Sequence, residues 1–218
     1  MQRRAVSGRY SFMPMMTKKS VTSGHSLQEY MAGFTLPEMM LALSIGSLII
    51  MAASQTFPKL RQQISYLQQH YHLELALSQV MAALEKDLRR AGFCHGECQG
   101  KAVTTHNYPG ETTNSCLIVA YDLNHNGRWE GEKHPQSEYF GYRLHNKALE
   151  GQRGELNCSA RGWEKLFDPQ EITITHFSVN QLPRQVSGQI YRVQLAGQRK
   201  SHPAIHHQLT YTIRGNNL

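Results

Sequence analysis

A short stretch near the amino terminus combines a small residue, an aromatic residue and a carboxylate. It reads Gly33-Phe34-Thr-Leu-Pro-Glu38. Glycine lets a protease approach the backbone closely, and cleavage after Gly33 would make Phe34 the new amino terminus. Glu38 heads an apolar segment, where a lone charge is costly and needs a partner. A neighbouring copy's Phe34 amine can supply one in a stack of subunits. The alternative is a helix-start acid satisfied by the helix dipole.

A second stretch carries oxygen ligands at alternate positions. Asp122, Asn124, Asn126 and Glu130 occupy positions 1, 3, 5 and 9, with the Arg128 carbonyl at position 7. This spacing resembles the first nine positions of an EF-hand loop and predicts a low-affinity calcium site. At position 12, Lys133 replaces the usual glutamate, and the nearest carboxylate is Glu132. The alternative is an Asx-rich turn whose side chains bond their own backbone.

The chain contains four cysteines, Cys94, Cys98, Cys116 and Cys158. An even number in an exported domain predicts two disulfides, with three connectivities open. Pairing Cys94 with Cys98 and Cys116 with Cys158 is our preferred choice among them. A structural zinc site is the alternative, but such sites usually require two closely spaced pairs and the chain offers one.

The elements that must position these residues begin with a basic leader. Five basic side chains and one acidic side chain precede Phe34, which gives +4 of the formal net charge of +7. This bias agrees with the positive-inside rule at a membrane better than with nucleic-acid binding. Residues 1–33 show no hydrophobic periodicity, and we interpret them as a leader peptide that is removed.

An apolar segment follows the leader. No charged side chain occurs from Met39 to Ala53, and the run continues to Phe57. At about 1.5 Å per residue, residues 39–57 would span roughly 29 Å, close to the thickness of a bilayer core. We therefore predict a transmembrane and polymerisation helix over 34–57, with a buried core helix as the alternative.

An amphipathic helix is predicted over 58–92, after an interruption at Pro58. Gly92 would end this helix, behind two arginines that suit the negative end of the helix dipole. Apolar residues recur at three- and four-residue spacing and form one stripe to bury. The stripe consists of Leu60, Ile64, Leu67, Tyr71, Leu75, Met81, Leu84, Leu88 and Ala91.

The remainder, 93–218, has the pattern of a β-rich head. Short apolar or alternating runs predict strands at 116–121, 139–144, 148–150, 172–179, 190–195 and 209–213. A hairpin turn is predicted at His145–Lys147. The segments 93–115, 123–138 and 155–170 are predicted as loops. Strands without intervening helices favour an antiparallel sheet, so the fold class is α+β, with the long helix packed on that sheet.

The Gly33–Glu38 junction and the apolar run together resemble the class III signal of type IV prepilins and type II secretion pseudopilins. The resemblance implies a type IV pilin-like fold. It also implies cleavage between Gly33 and Phe34 by prepilin peptidase, N-methylation of Phe34, and a subunit-assembly role for Glu38. Pro37 stands where an aliphatic residue is commoner, a variant found among minor pilins.

Three further segments resemble the prepilin peptidase-dependent protein B group of minor pilins. They are Arg90–Cys98, Asp122–Trp129 and Cys158–Trp163. This resemblance implies a subunit that helps to initiate or cap a pilus. Its implied partners are the peptidase and other pilins or pseudopilins, which it contacts through the N-terminal helix. Its implied location is the bacterial inner membrane, single-pass, with the C-terminal domain in the periplasm.

Two alternative functions fit parts of the sequence. A minor pseudopilin at the tip of a type II secretion pseudopilus would use the same signal and helix. A DNA-uptake subunit would use a basic patch with nearby tyrosines, but the modest charge after Phe34 argues against nucleic acid. That patch would comprise Arg184, Arg192, Arg199, Lys200 and Arg214, with Tyr191 and Tyr211.

An enzyme is not expected, because the sequence has no nucleophile-elbow, zinc-protease or phosphate-loop motif. His202, His206 and His207 could in principle hold a metal. We predict instead that they lie in a solvated loop before the last strand. No cofactor other than calcium is expected.

Overall fold

The structure is a computed structural model that describes residues 33–132, 134–183 and 188–218. It divides into two compact units, one ending at Met51 and one running from Ala52 to Leu218. The predicted leader up to residue 32, Lys133 of the calcium prediction and Arg184 of the basic patch lie outside the described residues.

One long helix, α1, begins at Leu36 and ends at Arg90, with Pro58 inside it. Its residues in the first unit are mostly apolar and almost all exposed. An 18-residue window of α1 has a mean hydropathy of 1.8 and no buried residue. By length and composition, α1 can therefore cross a membrane.

Within the second unit, the last five turns of α1 pack on the β-rich head. Fully buried side chains lie at Leu73, Leu77, Met81, Leu84 and Leu88. The predicted stripe is correct from Met81 onward. It is wrong before Met81, because the structure buries Leu73 and Leu77 there and exposes the residues that the pattern had assigned to the buried stripe. Those residues, Leu60, Ile64, Leu67, Tyr71 and Leu75, are between 41% and 65% exposed.

Gly92 ends the helix as predicted. Its φ of 83° lies in the left-handed region, which a side chain rarely adopts. The Gly92 N–H donates to the Ala120 carbonyl at 2.9 Å, and so ties the helix terminus to a strand. A Cβ here would lie 2.5 Å from the Asn217 carbonyl oxygen. The position therefore requires glycine for both conformation and space.

The first sheet has five antiparallel strands in sequential order. Its strands are β1 (Val103–His106), β2 (Cys116–Ala120), β3 (Tyr139–His145), β4 (Ala148–Arg153) and β5 (Glu164–Lys165). The β3–β4 hairpin turns at Asn146 and Lys147, whose φ values of 49° and 61° define a two-residue turn. The predicted hairpin is confirmed. Strands β1 and β5 lie in segments that were predicted as loops.

The second sheet has three antiparallel strands: β6 (Ile172–Gln181), β7 (Ile190–Arg199) and β8 (His206–Arg214). The prediction of a long helix packed on antiparallel structure is confirmed, in the form of two sheets. One core cluster joins the buried helix face to both sheets. The second sheet contributes the buried side chains of Phe177, Val193 and Leu195 to this cluster. The first sheet contributes those of Leu117 and Leu149.

Candidate functional site

The predicted processing junction lies immediately before the helix. Phe34 is 83% exposed and Thr35 directly precedes the first helical residue. The Thr35 carbonyl accepts the N–H of Met39 at 3.2 Å. Thr35 is thus the N-cap residue, and a cut after Gly33 would leave α1 intact with one residue, Phe34, ahead of the cap.

Glu38 occupies the third position of the helix and reaches back to this cap. Its Oε2 accepts the Thr35 backbone N–H at 3.1 Å and the Thr35 hydroxyl at 3.0 Å. This is the glutamate half of a capping box. The local alternative for Glu38, an acid satisfied at the helix start, is therefore present. Its side chain nevertheless stays exposed, so a positively charged group can reach the carboxylate in addition to Thr35.

Large apolar side chains cover the helix that follows in the first unit. They include Met40, Leu43, Leu48 and Ile50, each at least 66% exposed. An exposed apolar surface of this extent marks a contact with lipid or with other proteins. The carboxylate of Glu38 is the one acidic group in the described part of this unit, residues 33–51.

Asp122, the first residue of the predicted calcium loop, is buried just after β2. Its Oδ1 accepts the N–H of Asn126 at 3.1 Å, and its Oδ2 accepts those of Gly127 at 2.9 Å and His95 at 3.0 Å. Burial opposes ionisation of Asp122, but these N–H groups outweigh it and hold the pKa below its ordinary value. Gly127, with φ 83°, makes the tight turn expected at position 6.

The other predicted ligands converge around Glu130. Asn124 Oδ1 accepts the N–H of Asn126 at 3.0 Å, and Asn126 Oδ1 accepts that of Arg128 at 3.1 Å. These are Asx turns, as the simpler alternative predicted. The side-chain amides of Asn124 and Asn126 both donate to the Glu130 carboxylate. The Asn126 bond is the main cause of a lowered pKa at Glu130.

Sequence reasoning missed one residue of this loop, Glu138. It is fully buried immediately before β3, and its Oε1 accepts the N–H groups of Leu123 at 2.6 Å and Asn124 at 3.0 Å. Burial, followed by the nearby Glu130 carboxyl, raises the pKa of Glu138. The available signal was strand pairing, because β2 beside β3 sets Tyr139 opposite Ala120 and so brings residue 138 beside the residue that precedes Asp122.

The structure contains the disulfides Cys94–Cys98 and Cys116–Cys158, the pairing that the sequence favoured. Cys94, Cys98 and Asp122 lie close enough together to resemble a metal cluster. Both of its sulfurs are consumed in a disulfide, so they cannot act as thiolate ligands for zinc.

A buried cation, Arg143, organises the loop around the second disulfide. Its guanidinium lies 2.8 Å from the Glu150 carboxylate. It also lies 4.5 Å from the Trp163 ring and 5.0 Å from the Tyr108 ring. The Cys158 carbonyl accepts a further hydrogen bond from it. The Cys158–Trp163 segment therefore wraps a buried ion pair, and this role is structural.

Three of the described residues proposed for nucleic-acid binding are buried or engaged within the head. Tyr191 is 2% exposed and cannot stack on a base. Arg199 pairs with Glu171 at 3.1 Å, and the Lys200 ammonium donates to the Pro169 carbonyl at 3.3 Å.

The histidines of the metal alternative separate. His206 and His207 lie in β8 rather than in the predicted loop, and successive strand residues face opposite sides. His202 alone lies in the preceding connection.

Comparison with known proteins decides the family. Residues 66–215 match the family profile described as prepilin peptidase-dependent protein B. Residues 30–54 match the prokaryotic N-terminal methylation motif. The chain is 32% identical to prepilin peptidase-dependent protein B of Escherichia coli, over 85% of this chain and 97% of that protein. The chain belongs to the prepilin peptidase-dependent protein B family.

The chain is also similar to an uncharacterized protein of Haemophilus influenzae. It is 25% identical, over 66% of this chain and 79% of its own length. No solved structure matches the chain significantly. Membership of the prepilin peptidase-dependent protein B family and the methylation motif indicate a pilin-like protein rather than an enzyme.

Proposed function

We propose that the chain is a minor pilin-like subunit that takes part in the initiation or the tip of a type IV pilus or a related filament. One observation carries this proposal: an exposed carboxylate, Glu38, heads an exposed apolar helix in a member of this family. A free subunit has no use for such a surface, whereas lipid and neighbouring helices can cover it.

Processing precedes assembly in this proposal. Residues 1–33 are the leader, prepilin peptidase cuts between Gly33 and Phe34, and the new Phe34 amine is methylated. The match to the methylation motif supports this sequence of events. So does the position of Phe34, since it lies outside the helix and next to the cap, where a protease can bind extended backbone.

Assembly then depends on Glu38. Its carboxylate pairs with the Phe34 amine of a neighbouring pilin, whether major or minor, while the apolar helices pack side by side. The pair sets the axial register, because an unpaired charge among apolar helices is expensive. The Thr35 hydrogen bonds hold Glu38 until that partner arrives.

Membrane insertion orients the chain before assembly. Residues 34–57 cross the inner membrane, 58–92 contain the second half of the helix and its glycine stop, and 93–218 form a periplasmic head. The basic leader would remain on the cytoplasmic side. Two disulfides in the head support an oxidising compartment, since disulfides persist in the periplasm and are rare in the cytosol.

Intact-mass spectrometry of protein from its native host tests the processing step. We expect a mature chain that begins at Phe34 and carries one added methyl group. Cells lacking prepilin peptidase should yield the full leader. Gly33→Leu should also retain the leader, because a bulky side chain blocks the approach of the protease. The matched control Gly24→Leu changes the same residue type inside the leader and should be cut normally.

Deletion of the gene tests the assembly step. We expect fewer filaments on each cell, restored by the wild-type gene and not by the Gly33→Leu gene. Normal filament numbers together with a loss of protein secretion would assign the chain to a secretion pseudopilus instead. An intact leader on the mature protein would contradict the whole proposal.

A further inference from the structure

The buried carboxylate of Glu138 has an unsatisfied oxygen. Its Oε1 accepts two backbone N–H groups, but its Oε2, in a residue with 0% exposure, has no hydrogen-bond donor. An unpartnered buried carboxylate oxygen costs free energy, and native structures usually provide such an atom with a partner.

Glu138 lies beside another acid, Glu130. The Glu138 backbone N–H donates to the Glu130 carbonyl at 3.2 Å, and the two carboxyl groups are near enough to interact. Two carboxylates in contact repel each other unless a cation or a shared proton lies between them. Glu130 belongs to the loop that carries the other oxygen ligands, and Oε1 of Glu138 binds the N–H groups of Leu123 and Asn124 in the same loop, so the unpartnered Oε2 lies beside it.

The loop can complete an oxygen coordination shell. The amide groups of Asn124 and Asn126 both donate to the Glu130 carboxylate, and each amide oxygen accepts one backbone N–H and keeps a second lone pair that a cation can use. Asp122 Oδ1 accepts a single N–H and keeps a lone pair. Asn124 and Asn126 are exposed, so an ion can enter from solvent.

We propose that Glu138 is the closing ligand of a calcium site formed with Asp122, Asn124, Asn126 and Glu130. An EF-hand loop takes its closing carboxylate from position 12. In this chain, the residue immediately before β3 would supply it instead. Calcium suits the site because it accepts six to eight oxygens in a flexible geometry. The site would join the end of β2 to the start of β3, and it is independent of the proposed function.

A calcium titration of the detergent-solubilised full chain tests this site. We expect a dissociation constant of about 0.1–1 mM, the range of extracellular calcium modules. At a calcium concentration tenfold above that constant, the melting temperature should rise by about 3–6 °C. Magnesium at the same concentration controls for ionic strength and should give a much smaller shift.

Glu138→Gln tests whether the buried carboxylate closes the site. In Glu138→Gln the amide oxygen can still accept the two backbone N–H groups, so the calcium-free protein should melt at or above the wild-type temperature, while calcium affinity falls at least about tenfold. Glu132→Gln, an exposed neighbour, should bind normally. No calcium shift in the wild type, an equal shift with magnesium, or normal binding by Glu138→Gln would overturn the site and leave a shared proton between Glu130 and Glu138.

Discussion

The hydroxyl of Tyr142 donates a hydrogen bond of 2.6 Å to the carboxylate of Asp87. Asp87 is a buried acid on the core-facing side of α1, and the hydroxyl of Tyr121 donates to its second oxygen at 3.1 Å. Strand β3 and the residue that follows β2 thus fix the rotation of the helix about its axis, in addition to the apolar contacts beside them.

Tyr142→Phe should destabilise the chain. It removes one donor from a buried carboxylate and leaves the ring in place, so the free energy of unfolding should fall by about 1.5–3 kcal/mol. Urea unfolding of the detergent-solubilised full chain measures this change. Tyr66→Phe is the matched control, because Tyr66 lies on α1, the helix that carries Asp87, and is 49% exposed. Its free energy of unfolding should change by no more than about 0.5 kcal/mol. Equal effects would mean that the Asp87 contact is energetically silent.

Alkaline pH should weaken the same contact. Burial first, and then the charge of Asp87, raise the pKa of Tyr121 to about 12, and the same causes raise that of Tyr142 further. The folded chain therefore keeps phenol protons that the unfolded chain loses near pH 10. The stability contribution is full below about pH 10 and declines as the pH rises toward about 12.

The free energy of unfolding measured at about pH 9 and about pH 11 should show this decline. Tyr121→Phe removes one of the tyrosines whose pKa is raised, so the stability of this variant should depend less steeply on pH over this interval. A wild-type stability that stays flat across it would contradict the assignment.

The phase of the helix stripe also has a direct test. Leu73→Ala should cost about 2–5 kcal/mol, because a fully buried leucine leaves a cavity when it is truncated. Leu75→Ala lies two residues away at 41% exposure and should change stability by less than about 0.5 kcal/mol. Thermal unfolding of both variants shows which of the two adjacent helix faces is buried. The opposite ranking would restore the stripe predicted from the sequence.

This phase error shows where periodicity loses its power. The sequence Leu73-Glu-Leu75-Ala-Leu77 offers apolar side chains at every second position. Helical spacing alone cannot decide between two adjacent faces in such a run, since the sheets choose the face that they cover. From Met81 onward only two small alanines and then polar residues separate the large apolar positions, and there the predicted face is correct.

Long-range polar contacts were likewise beyond the sequence. Asp87 meets partners 34 and 55 residues away, and Arg143 lies against Trp163 from a later loop. Local patterns treat such residues as surface residues, because charged groups are rarely buried unless they are paired. The junction at Gly33–Glu38 was accessible because its chemistry is contained within six consecutive residues.

The two roles of Glu38 can be separated by a pair of variants. Glu38→Gln keeps the capping-box geometry, since glutamine serves at this helix position, but removes the charge. Thr35→Ala keeps the charge and removes the capping hydroxyl, at a cost of about 0.5–2 kcal/mol to the helix start. Both variants should still insert in the membrane and be processed after Gly33.

The fraction of processed subunit that co-purifies with assembled filaments is the measurement. If Glu38 pairs with the Phe34 amine of a neighbour, Glu38→Gln should lower that fraction about tenfold or more, because removing one partner from a buried ion pair costs about 3–5 kcal/mol. Thr35→Ala should assemble nearly as wild type. Normal assembly of Glu38→Gln together with failure of Thr35→Ala would reduce Glu38 to a capping residue and remove the register-setting pair from the proposal.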